Sequence, residues 1–351
     1  MIGTGFKQGH GVLRAYDAAT GKPRWTFDAV AQPGDPNHAT WPGDSWKEGG
    51  ASTWMTGTYD PELDLLYWGI GNPKPDYDTS GRRGDNLYTN SVVALQASTG
   101  KRVWHFQFSP GDDHDWDSNQ VPILVDLPSP AGPRKLLVLA NRNGFYYVLD
   151  RTYGQFLKAA PFARQTWTAG IDARGRPIPL PPSEADQKGR LTYPSNLGAT
   201  NWWPPSFDPR LNLVFVPVFE HVMVFFQSGN SVPTDRTEPF YSAVRALDPA
   251  TGALVWEHKQ KPRNGVRAVG GLLSTDSGLL FGGDANLFFA LAGRTGEMLW
   301  SLDTGGHIAA APVSYEAGDE QFVAVAAGRD LLVFGLPPQP PNEASKLTAN
   351  H

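Results

Sequence analysis

A β-propeller is the fold class that this sequence of 351 residues predicts. Three observations point to it. Helical periodicity is nearly absent, short apolar runs alternate with Gly-bearing turns, and one hairpin motif returns five times. A sandwich also gives short strands, but it does not repeat a single hairpin in this way. Radially repeated, four-stranded antiparallel blades do.

The five copies of the motif are AYDAATGKPRW (15–25), ALQASTGKRVW (94–104), VLDRTYGQFLK (148–158), ALDPATGALVW (246–256) and ALAGRTGEMLW (290–300). Each is a β-type run, a small polar turn ending in Gly, and a second run that usually finishes in Trp. The Gly supplies the positive φ of a tight turn, and the Trp offers apolar area for packing against a neighbouring unit. The third copy has Lys158 in place of the Trp. Between the copies lie further strand-like runs: LDLLYWGIG (63–71), KLLVLAN (135–141), NLVFVPVF (212–219), GLLFGGD (278–284) and QFVAVAAG (321–328). Uneven spacing of Trp25, Trp104, Trp256 and Trp300 implies long insertions at 28–53, 72–90, 107–133 and 157–205. Function is expected on those loops, over a rigid β scaffold. Residues 1–336 are expected to form the propeller and the Pro-rich segment 337–351 to be disordered.

Composition narrows the function classes. A net charge of −5, without a Lys/Arg cluster, gives no footprint for nucleic acid. The absence of cysteine excludes disulfides, a Cys-bound zinc, an iron–sulfur cluster and a haem attached through C-x-x-C-H. No stretch approaches the roughly 20 apolar residues of a membrane helix, so no membrane span is expected. The opening MIGTGFKQGHGVLRAYD has neither the charged nor the apolar region of a signal peptide.

The insertions hold the residues that could do chemistry. GDDHDWDSNQ (111–120) crowds Asp112, Asp113, Asp115 and Asp117 together. Asp115 and Asp117 flank Trp116, so an extended segment would project both to one side, where they repel unless a cation or shared proton lies between them. One could hold a metal while the other abstracts a proton, and a solvated acidic turn explains the cluster equally well. His114 is a possible base, though a structural role is commoner for a lone His. In GGASTWMTGTYDPELDLLYWGIGNPKPDYD (49–78), Trp54 could offer a flat face to a planar ligand and Asn72 a carbonyl oxygen to a hard cation. A core Trp and a turn-forming Asn are the ordinary alternatives. Arg142, in NRNGFYYVLDR (141–151), could fork onto an anionic oxygen or lie in a surface turn. Asn201, beside two Trp in NWWPPSFDP (201–209), is either part of a ligand wall or packing.

Taken in order, G-G-x-x-x-W, G-N-P, D-x-D, N-R-N-G-F-Y-Y-V-L-D-R, N-W-x-P and the repeated x-x-D-x-x-T-G-x-x-x-W resemble one family. It is that of the pyrroloquinoline-quinone-dependent alcohol dehydrogenases of the methanol/ethanol type, which are eight-bladed propellers. The resemblance runs from about residue 11 to 328. It implies that this chain carries about five to six blades of the eight. Trp54 matches the Trp whose indole stacks under the quinone ring, and Asn72 the amide ligand of the metal. Asp115 matches the general base and a metal neighbour. Asp117 falls where lanthanide-using members add a carboxylate. Arg142 matches the cation at the quinone oxygens, and Asn201 lies near a polar contact to the cofactor. The implied cofactors are pyrroloquinoline quinone with Ca²⁺ or a lanthanide(III). A primary alcohol is the implied substrate, an external acceptor such as a c-type cytochrome takes the electrons, and the implied location is the periplasm.

Departures from the family pattern accompany these matches. The family's first repeat follows a metal-ligating Glu, whereas GTGFKQGHGVLRAYD (3–17) has no acidic residue before Asp17 and places Lys7 or Gln8 there. The family's upstream region, with its adjacent cysteine pair, has no counterpart, so the chain reads as the C-terminal two-thirds of a quinoprotein. The last repeat, AAGRDLLVFGLP (326–337), replaces a Gly-rich, Trp-bearing segment. A cofactor-free propeller acting as a binding scaffold is therefore the alternative function. A sugar- or aldehyde-oxidising quinoprotein is a third possibility, differing in its substrate loops.

Overall fold

The computed structural model describes residues 2–7, 9–130, 132–181, 188–226, 231–233, 240–260 and 269–336, with backbone alone for 2–7 and 231–233. The segment expected to be disordered, 337–351, and the side chains of Lys7 and Gln8 lie outside the described residues.

Six antiparallel sheets follow one another along the chain as blades. Blade I holds β1 (Ile2–Lys7), β2 (His10–Tyr16) and β3 (Pro23–Asp28). Blade II holds β4 (Thr58–Asp60), β5 (Leu65–Gly69), β6 (Ser91–Gln96) and β7 (Arg102–Gln107). Blade III holds β8 (Ile123–Leu127), β9 (Arg134–Ala140), β10 (Phe145–Asp150) and β11 (Phe156–Pro161). The insertion that follows forms a two-stranded ribbon, β12 (Thr168–Ile171) with β13 (Pro177–Pro179), and then β14 (Arg190–Thr192). Blade IV comprises β15 (Ser206–Asp208), β16 (Leu213–Glu220), β19 (Tyr241–Leu247) and β20 (Leu254–Lys259). Between its middle strands, β17 (Met223–Phe225) and β18 (Ser231–Pro233) pair with β14 as a side sheet. Blade V has β21 (Leu273–Ser274), β22 (Leu279–Asp284), β23 (Leu287–Ala292) and β24 (Met298–Asp303), and blade VI has β25 (Val313–Ala317), β26 (Glu320–Ala327) and β27 (Asp330–Gly335). The all-β propeller expectation holds, with six blades, although the first and last have three described strands instead of four.

The middle strands of blades II to V are largely buried on both faces, which is why their sequences run continuously apolar instead of alternating. In β5, Leu66 and Trp68 pack toward blade I with Leu13, while Leu65 and Tyr67 pack toward blade III with Leu137 and Leu139. Val138 and Tyr146 then meet Val214 and Val216 of blade IV, Phe215 meets Leu280 and Phe289 of blade V, and Phe288 meets Val325 of blade VI. Successive residues thus serve opposite interfaces.

All five motif copies form the hairpin between the last two strands of a blade, and each carries a register shift just before its turn. In every turn the Gly N–H donates to the carbonyl four residues earlier. Three of the four motif Trp residues then reach the turn of the next blade, while Trp300 packs edge-on against Phe288 and Phe334. Trp25 Nε1 donates to Ala97 O (2.9 Å), Trp104 Nε1 to Arg151 O (3.1 Å) and Trp256 Nε1 to Gly293 O (3.0 Å). Each indole lies flat against the Gly three residues beyond that carbonyl. A Cβ on Gly100, Gly154 or Gly296 would sit 2.5–2.6 Å from ring atoms of Trp25, Trp104 or Trp256. Where the third copy lacks its Trp, Tyr146 takes over. Its hydroxyl donates to Pro249 O (3.2 Å), and a Cβ on Gly252 would lie 2.7 Å from its ring.

Because consecutive strands are antiparallel, these turns lie at one end of the blades. The loops joining second to third strands, and one blade to the next, lie at the other. The chemically rich insertions all emerge at that second end.

Gly100 and Gly21 separate ring docking from backbone strain. Both have positive φ (72° and 69°), but only Gly100 faces an indole; Gly21 has nothing within 4 Å among the described residues. Gly21→Ala is expected to lower the unfolding free energy by about 1 kcal/mol, and Gly100→Ala by about 3–4 kcal/mol once the overpacking is added. Urea unfolding followed by circular dichroism measures both; equal losses would remove the ring from the account.

Candidate active site

Four connections at the loop end meet around the carboxylate of Asp117. Its Oδ1 accepts from the backbone N–H of Asn72 (2.9 Å) and from Ser52 Oγ (3.4 Å). Its Oδ2 accepts from Trp54 Nε1 (3.3 Å) and pairs with Arg142 Nη2 (3.3 Å). Arg142 also donates through Nη1 to Asp115 O (2.8 Å) and through Nη2 to Asn201 Oδ1 (3.0 Å). Trp54, Asn72, Asp115, Asp117, Arg142 and Asn201, scattered over 148 positions of sequence, thus occupy one place. This closeness depends on Gly71, where a Cβ would lie 2.3 Å from Asp117 Oδ1 and 2.2 Å from Ser52 Oγ.

Each side chain presents a defined face. Both amide hydrogens of Asn72 are committed, to Asp76 Oδ1 (2.6 Å) and Pro73 O (3.1 Å), which leaves its carbonyl oxygen to the site. Arg142 is buried, and its Nε has no acceptor among the described residues. Trp54 is 42% exposed, with its indole nitrogen anchored and its ring face open.

The expectation of an extended Asp115–Asp117 segment is corrected. Asp115 has φ +62°, a left-handed backbone that turns the chain. The turn sends Trp116 fully inside, where Nε1 donates to Ser195 O (2.7 Å). Two bonds close it: Asp112 Oδ2 accepts from Trp116 N (2.9 Å) and Oδ1 from His114 N (3.3 Å). Asp115 still feels its neighbour. Burial first, and then the charge of Asp117, raise its pKa to about 7, against the pull of Arg142. No donor among the described residues reaches its carboxylate. The result is a carboxyl group that titrates near neutrality.

The other two Asp residues and His114 serve the wall. His114 pairs with Asp113 (2.5 Å) and stacks on Trp116, ring centroids 4.1 Å apart. On the far side of Trp116 lies a cavity of about 440 Å³, lined by Asp112, Asp113, His114, Trp167 and Phe225 among others. Sequence reasoning had no signal for Ser52, Asp76 or Arg82, or for the structural part played by Asp112. Each acts through a backbone group or a residue distant in sequence.

The description "Glucose/ethanol/alcohol dehydrogenase, beta-propeller domain" belongs to the family model that matches residues 3–160, and residues 241–334 match that of the outer membrane protein assembly factor BamB. The quinohemoprotein alcohol dehydrogenase ADH IIB of Pseudomonas putida is 40% identical, covering 91% of this chain and 50% of its own length. The quinoprotein alcohol dehydrogenase PedH of P. putida is 37% identical, covering 82% of this chain and 51% of its own length. The chain spans about half the length of the curated relatives it matches. Among solved structures, quinohemoprotein alcohol dehydrogenase ADHIIG of P. putida superposes with a TM-score of 0.85 at 33% identity, over 94% of this chain and 54% of that one. A europium-containing methanol dehydrogenase gives 0.83 at 28%, over 92% and 63%.

Two outcomes test these electrostatics. Arg142→Met leaves a buried carboxylate without its cation and is expected to lower stability by about 3 kcal/mol; adding Asp117→Asn should restore at least half, as read from urea melts of the four forms. Burial holds the Asp112 proton up to about pH 6, against an ordinary 3.8. The folded state then binds more protons between those values, so stability should fall as pH rises from about 4 to about 6. In Asp112→Asn the same pH series of melts should be flatter across that window.

Proposed function

Because the chain belongs to the quinoprotein alcohol dehydrogenase family, we propose that its site serves the oxidation of primary alcohols to aldehydes with pyrroloquinoline quinone and a Ca²⁺ or lanthanide ion. Electrons pass to an external acceptor such as a c-type cytochrome, and the protein works in the periplasm. Residues 1–336 act as one propeller domain. The observation that carries this reading is the convergence of Trp54, Asn72 and Arg142 on Asp117, with Asp115 and Asn201 joined to it through the Arg142 guanidinium.

The donor set fits both groups. Asn72 offers a carbonyl oxygen and Asp115 and Asp117 offer carboxylates, all hard oxygen ligands. Two carboxylates suit a trivalent ion better than one would, since a higher charge favours more anionic ligands. The unpaired Nε of Arg142 supplies a buried donor for a quinone oxygen. The exposed face of Trp54 supplies a surface for a planar ring. When bound, the quinone supplies the two-electron acceptor and the cation polarises one of its carbonyls. Asp115 takes the hydroxyl proton of the alcohol. Asn201 holds the Arg142 guanidinium in place through Oδ1, 3.0 Å away.

Two observations favour a second reading, a cofactor-free scaffold. Asp117 already has a cation in Arg142, and residues 241–334 match the assembly-factor model. Fluorescence of the tryptophans, titrated with the quinone alone and with Ca²⁺ or La³⁺, separates the two. Saturable, metal-dependent quenching that Asp117→Ala weakens at least tenfold with La³⁺ supports the enzyme; no quenching under any condition supports the scaffold. Where quenching is seen, Asp115→Asn is expected to retain it and to lose dye-linked alcohol oxidation by about 10²–10⁴-fold.

A further inference from the structure

Arg82 is 1% exposed, yet its guanidinium is spent on neutral acceptors. Nε and Nη2 donate to Pro75 O (3.0 and 2.8 Å), Nη1 to Asn86 Oδ1 (3.1 Å), and Nη2 also to Asp112 O (2.6 Å), with a longer contact to Asp76 O (3.5 Å). These acceptors belong to two different connections. Pro75, Asp76 and Asn86 lie between β5 and β6, and Asp112 lies between β7 and β8. Burying a guanidinium is costly, and an apolar side chain would fill the same volume without that cost. What it could not supply is a rigid fork of donors reaching both loops at once.

Both contacts lead to the site by one further step. Asp76, whose backbone lies beside Arg82, orients the Asn72 amide through Oδ1 (2.6 Å). Asp112, whose carbonyl Arg82 holds, closes the turn that carries Asp115 at φ +62°. We propose that Arg82 is a positioning residue that fixes the Asn72 carbonyl and the Asp115 carboxylate in mutual register for one shared cation. This rests on the metal-binding reading above. Without the fork the two loops stay joined by Asn72 N–H to Asp117 Oδ1 (2.9 Å) and Asn90 Nδ2 to Trp116 O (2.7 Å), but the segments carrying Asp76 and Asp112 lose their common anchor, and the Asn72 and Asp115 oxygens shift relative to each other.

Terbium(III) is the probe, because Trp54, in contact with Asp117, can sensitise its emission. Titrate the wild-type chain and Arg82→Lys with TbCl₃ under tryptophan excitation, and record thermal melts of both. Lys keeps the charge but cannot fork. The expected result is a terbium Kd at least tenfold weaker in Arg82→Lys. A Kd within twofold of wild type, whatever the melt shows, overturns the positioning role. No saturable emission from the wild-type chain overturns the metal reading, and the positioning role with it. If Arg82→Lys does not fold, half-exposed Asp76 decides. Asp76→Asn keeps an acceptor for Asn72 and removes the charge, whereas Asp76→Ala removes both. The relay requires the Ala form to bind terbium at least threefold more weakly than the Asn form, and equal affinities overturn it.

Discussion

An aromatic ring lying flat on a residue without a side chain, with its polar hydrogen on a carbonyl of the same turn, holds blades I to V each to the next. The indole brings a large apolar area, and the glycine removes the one atom that would prevent contact. The hydrogen bond then fixes where along the turn the ring can sit, so rotation between blades is set as well as distance. At the junction where the tryptophan is missing, Tyr146 makes both contacts from a different strand. The constraint is therefore one of shape and donor placement, and residue type is secondary to it. The loop end depends on it, since the site draws on connections from blades I through IV.

The motif that makes these contacts is local, and that is why it could be read. Five hairpins and the middle strands announce themselves within a dozen residues of chain, whereas the six expected site positions stand out only in the order of their motifs along the chain. The side sheet of β14, β17 and β18 and the β12–β13 ribbon did not, because their segments have neither a repeat nor a run of apolar residues. Tyr146 was invisible as a docking residue for a similar reason: in sequence it is one aromatic among several in a buried strand. Arg82 stands 30 residues from Asp112 in sequence and bonds only carbonyls and an amide. A backbone acceptor leaves no trace in residue type. The left-handed turn at Asp115 was equally hidden, since Asp is tolerated there without being diagnostic.

Charge at the site is arranged in two tiers. Asp115, Asp117, Asp112 and Asp76 crowd one region, and in sequence no Lys or Arg lies close to the first three. The fold brings Arg142 to Asp117 and Arg82 to the backbone of Asp112. Arg142 compensates one carboxylate directly. Arg82 adds positive potential without forming an ion pair, so geometry is held while the carboxylates remain unneutralised by it. Asp115 is left with burial and repulsion as its strongest influences.

The blades repeat, but they are not interchangeable. Ring docking at one end uses a rule that any neighbouring pair could satisfy, so duplication or exchange of blades costs little there. At the opposite end, Trp54 precedes blade II, Asn72 lies within it, Asp115 and Asp117 bridge II to III, Arg142 lies within III and Asn201 precedes IV. Any recombination that inserted, deleted or reordered a blade in this stretch would keep the docking contacts between neighbours and leave a site whose parts no longer meet. The repeat is therefore modular at the docking end alone; at the loop end the order of blades I to IV is fixed by the site they share.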